Sequence, residues 1–139
     1  MPASCTMLAP AFRDVELTRT GERELRLRFA GGSMLSVPRR AGLWGVWIGL
    51  NHWFTDLWRD PAIESRPGDT ARRDGFTSEV TDVAEDGLPS EVSLRFDRSL
   101  DDARYAWYRW DWERNVHVPV AMPAVGGAAL VPGVPEPPP

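Results

Sequence analysis

From Glu22 to Phe29 the chain alternates strictly, with Leu25, Leu27 and Phe29 falling on one side of an extended backbone and Arg26 and Arg28 on the other. A period of two is the signature of a half-buried strand. A strand from Phe12 to Thr18 precedes it across a turn at Thr20-Gly21. A short strand, Met34 to Val37, follows Gly31-Gly32 and is ended by Pro38, so an antiparallel meander is predicted. Alternation returns at Phe76 to Val83 and at Glu91 to Asp97, where Val92, Leu94 and Phe96 interleave with Ser93 and Arg95. The turn Glu85-Asp86-Gly87-Leu88-Pro89 joins the two into a hairpin.

After a polar turn at Ser99 to Asp102, the segment Arg104 to Arg114 is dense in the aromatic residues that strands favour. Strict alternation there places Ala106, Tyr108, Trp110 and Trp112 on one face and Tyr105 and Trp107 on the other. Either both faces are covered or a bulge near Tyr108 resets the register. Leu43 to Trp58 fits two periods at once. Leu43, Val46, Trp47 and Leu50 make a helical stripe, whereas Trp44, Val46, Ile48 and Leu50 make a strand face. Gly45 and Gly49 weaken a helix, so the reading is a strand at Gly42 to Leu50 and one short helix at Asn51 to Arg59. Asp60 to Gly75 reads as an exposed loop, and the proline-punctuated stretch from Val118 onward as extended polyproline-like coil. The prediction is a mostly β protein, an antiparallel β-sandwich or small β-barrel. It has an N-terminal arm over residues 1–11, a folded part over 12–125 and a proline-rich tail over 126–139.

Composition narrows the functional classes more than it names one. The 139 residues suffice for one hydrophobic core without metal or disulfide staples. The sole cysteine, Cys5, forms no internal bridge, and no metal-ligand spacing surrounds it. A net charge of −4 with interspersed signs provides no basic face for nucleic acid. The longest apolar run, Leu43 to Leu50, falls far short of the roughly 20 residues of a membrane-spanning helix. The N-terminus shows no secretory signal, which leaves the compartment open.

Seven tryptophans are the unusual feature, grouped as Trp44, Trp47, Trp53 and Trp58 in one region and Trp107, Trp110 and Trp112 in another. A large indole serves equally as core filler or as a surface that stacks on sugar rings or lines a pocket. The candidate ligand-binding residues are Trp44, Trp47, Trp53, Tyr105, Trp107, Trp110 and Trp112. With two histidines, His52 and His117, a three-histidine metal site is excluded. If the chain is an enzyme, the acid/base candidates are His52, Asp56 four residues on, and Tyr108. The pairs Glu85-Asp86 and Asp101-Asp102 stand in predicted turns and read as turn-capping carboxylates. The arginines Arg66, Arg72 and Arg73 read as a solvated stretch. No nucleophile elbow, phosphate loop, dinucleotide fingerprint or zinc-protease motif occurs, so no catalytic residue, metal or cofactor is assigned.

The closing stretch, Arg104-Tyr105-Ala106-Trp107, Asn115-Val116 and Ala121-Met122-Pro123-Ala124-Val125, resembles the end of SGNH-type carbohydrate esterases of the sialate O-acetylesterase kind. The resemblance implies an accessory β-sandwich. The family's Gly-Asp-Ser and Asp-x-x-His blocks are missing, so it implies no catalytic residue. Three functional classes follow. The first is a non-catalytic binding module using exposed Trp and Tyr, with carbohydrate or a protein surface as partner. The second is a structural or assembly subunit, as in a virion, forming a homo-oligomer or a larger assembly. The third is a small β-barrel enzyme, a cyclase or isomerase, with a Trp-lined hydrophobic pocket.

Overall fold

A computed structural model of the chain describes residues 13–33 and 64–133. Eight strands are present among them: β1 (Val15–Gly21), β2 (Glu24–Phe29), β3 (Thr70–Arg73), β4 (Phe76–Val83), β5 (Pro89–Phe96), β6 (Tyr108–Asp111), β7 (Val116–Pro119) and β8 (Ala128–Val131). Six of them form one antiparallel sheet in the order β3-β4-β5-β2-β1-β8, and β6 and β7 form a separate two-stranded ribbon. The antiparallel, mostly β prediction holds. The barrel alternative does not, because the large sheet stays open with β3 and β8 as its outer strands among the described residues. No helix occurs among the described residues. The expected strands at 34–37 and 42–50, the short helix at 51–59 and the N-terminal arm lie outside them.

One face of the large sheet is the core. Val15, Leu17, Leu25, Leu27, Phe29, Phe76, Val92, Leu94 and Phe96 are buried on it, with Leu25 fully inaccessible. The registers explain the shared face: Leu17 stands opposite Leu27, and Leu27 opposite Val92, so the alternation of each strand is in phase with its neighbour. Leu100 is buried against this face, and Tyr105, Trp107, Met122 and Val131 pack onto it. The other face is a lattice of charge in which Arg26 approaches Glu91 at 3.7 Å and Arg95 approaches Glu24 at 3.5 Å.

Four predicted boundaries are corrected. The stretch 60–75, read as loop, contains β3, whose four residues are all exposed. With no buried side to reveal, this strand shows no alternation. It is defined by its ladder to β4 and by the two-residue Asp74-Gly75 turn, where Gly75 takes a φ of 89°. The aromatic strand predicted over 104–114 is only β6, four residues long. The coil predicted from Val118 onward instead completes β7 and then enters β8, which pairs with β1 from Val15–Val131 to Thr18–Ala128. Prolines at 119, 123 and 132 fall outside the interior of β8, so its ladder amides are intact. The first turn is also shifted: Gly21 pairs with Glu24 after an irregularity between Arg19 and Gly21, leaving Glu22-Arg23 as the turn.

Candidate functional site

The aromatic segment divides at Trp107. Tyr105 and Trp107 precede β6 and turn into the core, where Phe96 meets both edge-on, at 5.8 Å and 5.5 Å between ring centroids. Phe76 closes the group at 5.4 Å from Phe96. The Trp107 indole donates from Nε1 to the Leu100 carbonyl at 3.1 Å, satisfying the polar edge of a ring half-buried in an apolar setting. These two rings leave the alternating pattern because the chain is not yet a strand where they occur. Neither of the sequence alternatives, two covered faces or a bulge at Tyr108, is needed.

From Tyr108 onward the aromatics belong to the ribbon. Tyr108 pairs with Pro119 and Trp110 with His117, and directly opposed residues of an antiparallel pair share a face. That face therefore carries Tyr108, Trp110, His117 and Pro119. Trp110 makes edge contacts with His117, at 4.9 Å and 78°, and with Trp112, at 6.3 Å and 77°. Tyr108 is 59% exposed, and His117 and Pro119 are exposed beside it. The turn that closes the ribbon is built by Asp111, whose Oδ1 accepts from the amides of Glu113 and Arg114, both at 3.1 Å. Asn115 then adopts a φ of 53°, a left-handed conformation that asparagine tolerates better than most residues. The turn fixes which side of the ribbon the aromatics occupy.

The ribbon is tethered to the sheet by a second group of residues that the sequence reading passed over. Arg19 occupies a core-face position of β1, two residues beyond Leu17, and its side chain is almost fully buried. Its guanidinium grips Asp101 in a fork, Nη1 to Oδ1 at 2.9 Å and Nη2 to Oδ2 at 2.7 Å. The remaining donors go to the carbonyls of Gly21, Pro123 and Glu22, each at 3.3 Å. Arg19 thus ties β1 to the turn before the ribbon and to the segment after it. The hydrogen bond from Arg19 holds the Asp101 carboxyl below the usual carboxylate range. Beside it, Arg104 donates to Asp102 from its side chain and backbone, and Asp102 is lowered to about 2. Asp102 caps its turn by accepting the Arg104 amide, as read from the sequence, whereas the Asp101 carboxylate is taken by the Arg19 ion pair instead of a turn amide. Asp86 also acts as a turn carboxylate, accepting from the Leu88 amide at 3.1 Å and from the Ser33 hydroxyl at 2.7 Å.

The predicted site residues Trp44, Trp47, Trp53, His52 and Asp56 lie outside the described residues. Tyr108 stands on an open face. At the far end of the large sheet an open groove of about 850 Å³ is lined by Arg13, Glu16, Arg28, Asp82 and Ser90 among others, and none of the candidate aromatics among the described residues lines it. Among the described residues no group of three His, Cys, Asp or Glu could hold a metal ion, and no helix is long and apolar enough to cross a membrane. No protein-family model, curated protein or solved structure matches this chain.

Proposed function

We propose that this chain is a non-catalytic binding module whose ligand surface is the aromatic face of the β6–β7 ribbon. The observation that carries the reading is the gathering of Tyr108, Trp110, His117 and Pro119 on one side of a two-stranded ribbon, with Tyr108 largely open to solvent. Exposed aromatic groups of this kind gain more from covering a ligand than from facing water. The rigid Asp111 turn and the Arg19 tether hold them in place before binding, so little ordering cost remains. A sugar ring stacked on Tyr108 is one chemistry that fits this face, since a pyranose presents an apolar side of matching size. Titrating mono- and oligosaccharides while following tryptophan fluorescence tests the proposal. A saturable shift that disappears in Tyr108→Ala supports it, and a full panel without response argues against saccharides as the ligand.

A second reading, an assembly subunit, is favoured by β8. This strand, Ala-Ala-Leu-Val, is outermost in the sheet among the described residues and carries no charge, and Leu130 on it is 65% exposed. Uncharged edges are templates for pairing, and proteins that stay apart guard them with charge. The outer strand on the other side among the described residues, β3, carries Arg72 and Arg73.

A further inference from the structure

We infer that β8 is a self-association edge, which pairs antiparallel with β8 of a second copy about a two-fold axis at Ala129 and joins the two large sheets into one. The inference rests on the assembly reading and gives it a surface and a partner. Which backbone groups face the open side follows from β1. Arg19 donates its amide to the Gly127 carbonyl and accepts from the Gly126 amide, toward β8, whereas the Asp14 carbonyl accepts from Ala30, toward the side of β2. Backbone direction alternates along a strand, so the odd-numbered residues of β1 turn to β8 and the even-numbered ones to β2. Leu17 stands opposite Ala129 and Val15 opposite Val131, so these pairs exchange the hydrogen bonds of the ladder. Ala128 and Leu130 therefore turn both amide and carbonyl away from β1. Among the described residues β8 has no neighbour on that side, and none of its residues makes a hydrogen bond outside its ladder to β1.

A second β8 matches this edge group for group. With the axis at Ala129, Ala128 of each copy stands opposite Leu130 of the other, and every outward amide meets an outward carbonyl. An axis at Leu130 would instead set Pro132 opposite Ala128, and the proline nitrogen has no proton to donate. The edge is also closed at both ends. Pro132 follows it, and before it the amides of Gly126 and Gly127 are taken by the carbonyls of Arg19 and Ala124. A longer strand from another protein would leave the rest of its own ladder unmet, whereas a four-residue strand of the same kind leaves nothing over. The side chains agree with the backbone. Leu130, 65% exposed, comes to lie beside Ala128 of the second copy, and small Ala129 meets Ala129 at the axis. Glu16 and Thr18 flank Leu130 and Ala128 on β1, so the joined row runs Glu16, Leu130, Ala128, Thr18 and opposes no like charges. At β3 the same arrangement would gather Arg72 and Arg73 of both copies along one seam.

The test uses the full chain and compares its self-association with that of two variants by light scattering across a concentration series. The parent should form a dimer. Leu130→Pro removes only an amide that points away from β1, so the ladder of the single chain stays intact while the dimer weakens by about tenfold or more. Leu130→Lys keeps every backbone group and places on the edge the charge that proteins use to guard it, and should weaken the dimer likewise. Its side chain is exposed, so this variant keeps the test valid if Leu130→Pro misfolds. Cysteine cross-linking then reads the register, in a Cys5→Ser background. Ala129→Cys should form a disulfide-linked dimer on oxidation, because residues facing each other across a non-hydrogen-bonded pair have Cα atoms about 4.5 Å apart. Leu130→Cys should not, since the two copies of that position stand beyond the roughly 7 Å a disulfide can bridge. Cross-linking at 130 in place of 129 overturns the register. A parent that is monomeric at every concentration overturns the inference and the assembly reading together. A dimer that ignores both Leu130 variants and does not cross-link through Ala129→Cys overturns pairing through β8 and leaves the assembly reading standing on another surface.

Discussion

Replacing Phe96 by Ala should be among the most destabilising single changes in the described core. The ring is 5% exposed and touches Phe76, Tyr105 and Trp107, the last two edge-on. Truncating a buried phenylalanine costs about 3–5 kcal/mol in transfer and cavity energy. Each favourable aromatic pair adds about 0.5–1.5 kcal/mol beyond area burial. Against a total stability of about 5–15 kcal/mol for a domain of ordinary size, the loss is a large fraction. The sharper measurement is a double-mutant cycle of Phe96→Leu and Trp107→Leu in urea, read by far-UV circular dichroism so that losing one indole does not remove the signal. The 86° contact predicts a coupling of about 0.5–1.5 kcal/mol. A coupling below about 0.3 kcal/mol, the scatter expected of independent sites, would refute the claim that Trp107 is fixed by Phe96. The start of the ribbon would then need another anchor.

Trp107→Phe keeps most of the packing but strands the Leu100 carbonyl, and should lower stability by about 1–3 kcal/mol in the same urea assay. Gly133→Ala places a Cβ against the Arg13 backbone and should cost about 1–3 kcal/mol, seen as a lower Tm and faster amide exchange in β8. Because Asp102 and Asp101 titrate below their usual value of 3.8, the unfolded chain takes up protons first on acidification. Their contribution is present above about pH 4 and is lost as pH falls toward about 2. Asp102→Asn should flatten the urea midpoint against pH over that window. Arg19→Lys keeps the charge but not the five-donor fork. It should loosen the tie between β1 and residues 99–127, raising exchange at Gly126 and Gly127 in hydrogen-exchange measurements.

The strands with one buried face were legible from their residues. Leu25, Leu27 and Phe29, then Val92, Leu94 and Phe96, announce β2 and β5 because burial on one side forces a period of two. The hairpin of β4 and β5 was legible too, since the Gly87 turn has its own local chemistry. β3 was not, because no residue of it is buried, although Asp74-Gly75 is a hairpin signal that stands in the sequence. β8 was hidden among prolines that lie outside its ladder, and its strand character comes from pairing with β1 more than a hundred residues away.

For the site, residue types pointed to Tyr105, Trp107, Trp110 and Trp112 as ligand-binding aromatics of this segment, with Tyr108 named only as an acid/base candidate, and no metal or catalytic motif was expected. Alternation set Tyr105 and Trp107 on the face opposite Trp110, but not outside the strand and in the core of the large sheet. That division depends on where β6 begins, which the packing of Phe96 against both rings establishes. His117 joined the cluster only through register, as the residue opposite Trp110. Arg19 carried no signal in the sequence, yet its position in phase with the core put it inside, where Asp101 and Pro123, distant in sequence, join the nearby Gly21 and Glu22 carbonyls as its acceptors. Local alternation is written in the sequence because each strand must hide one side. Which strands meet, in what register, and which polar group a buried charge finds are properties of long-range pairing, and only the tertiary structure decides them.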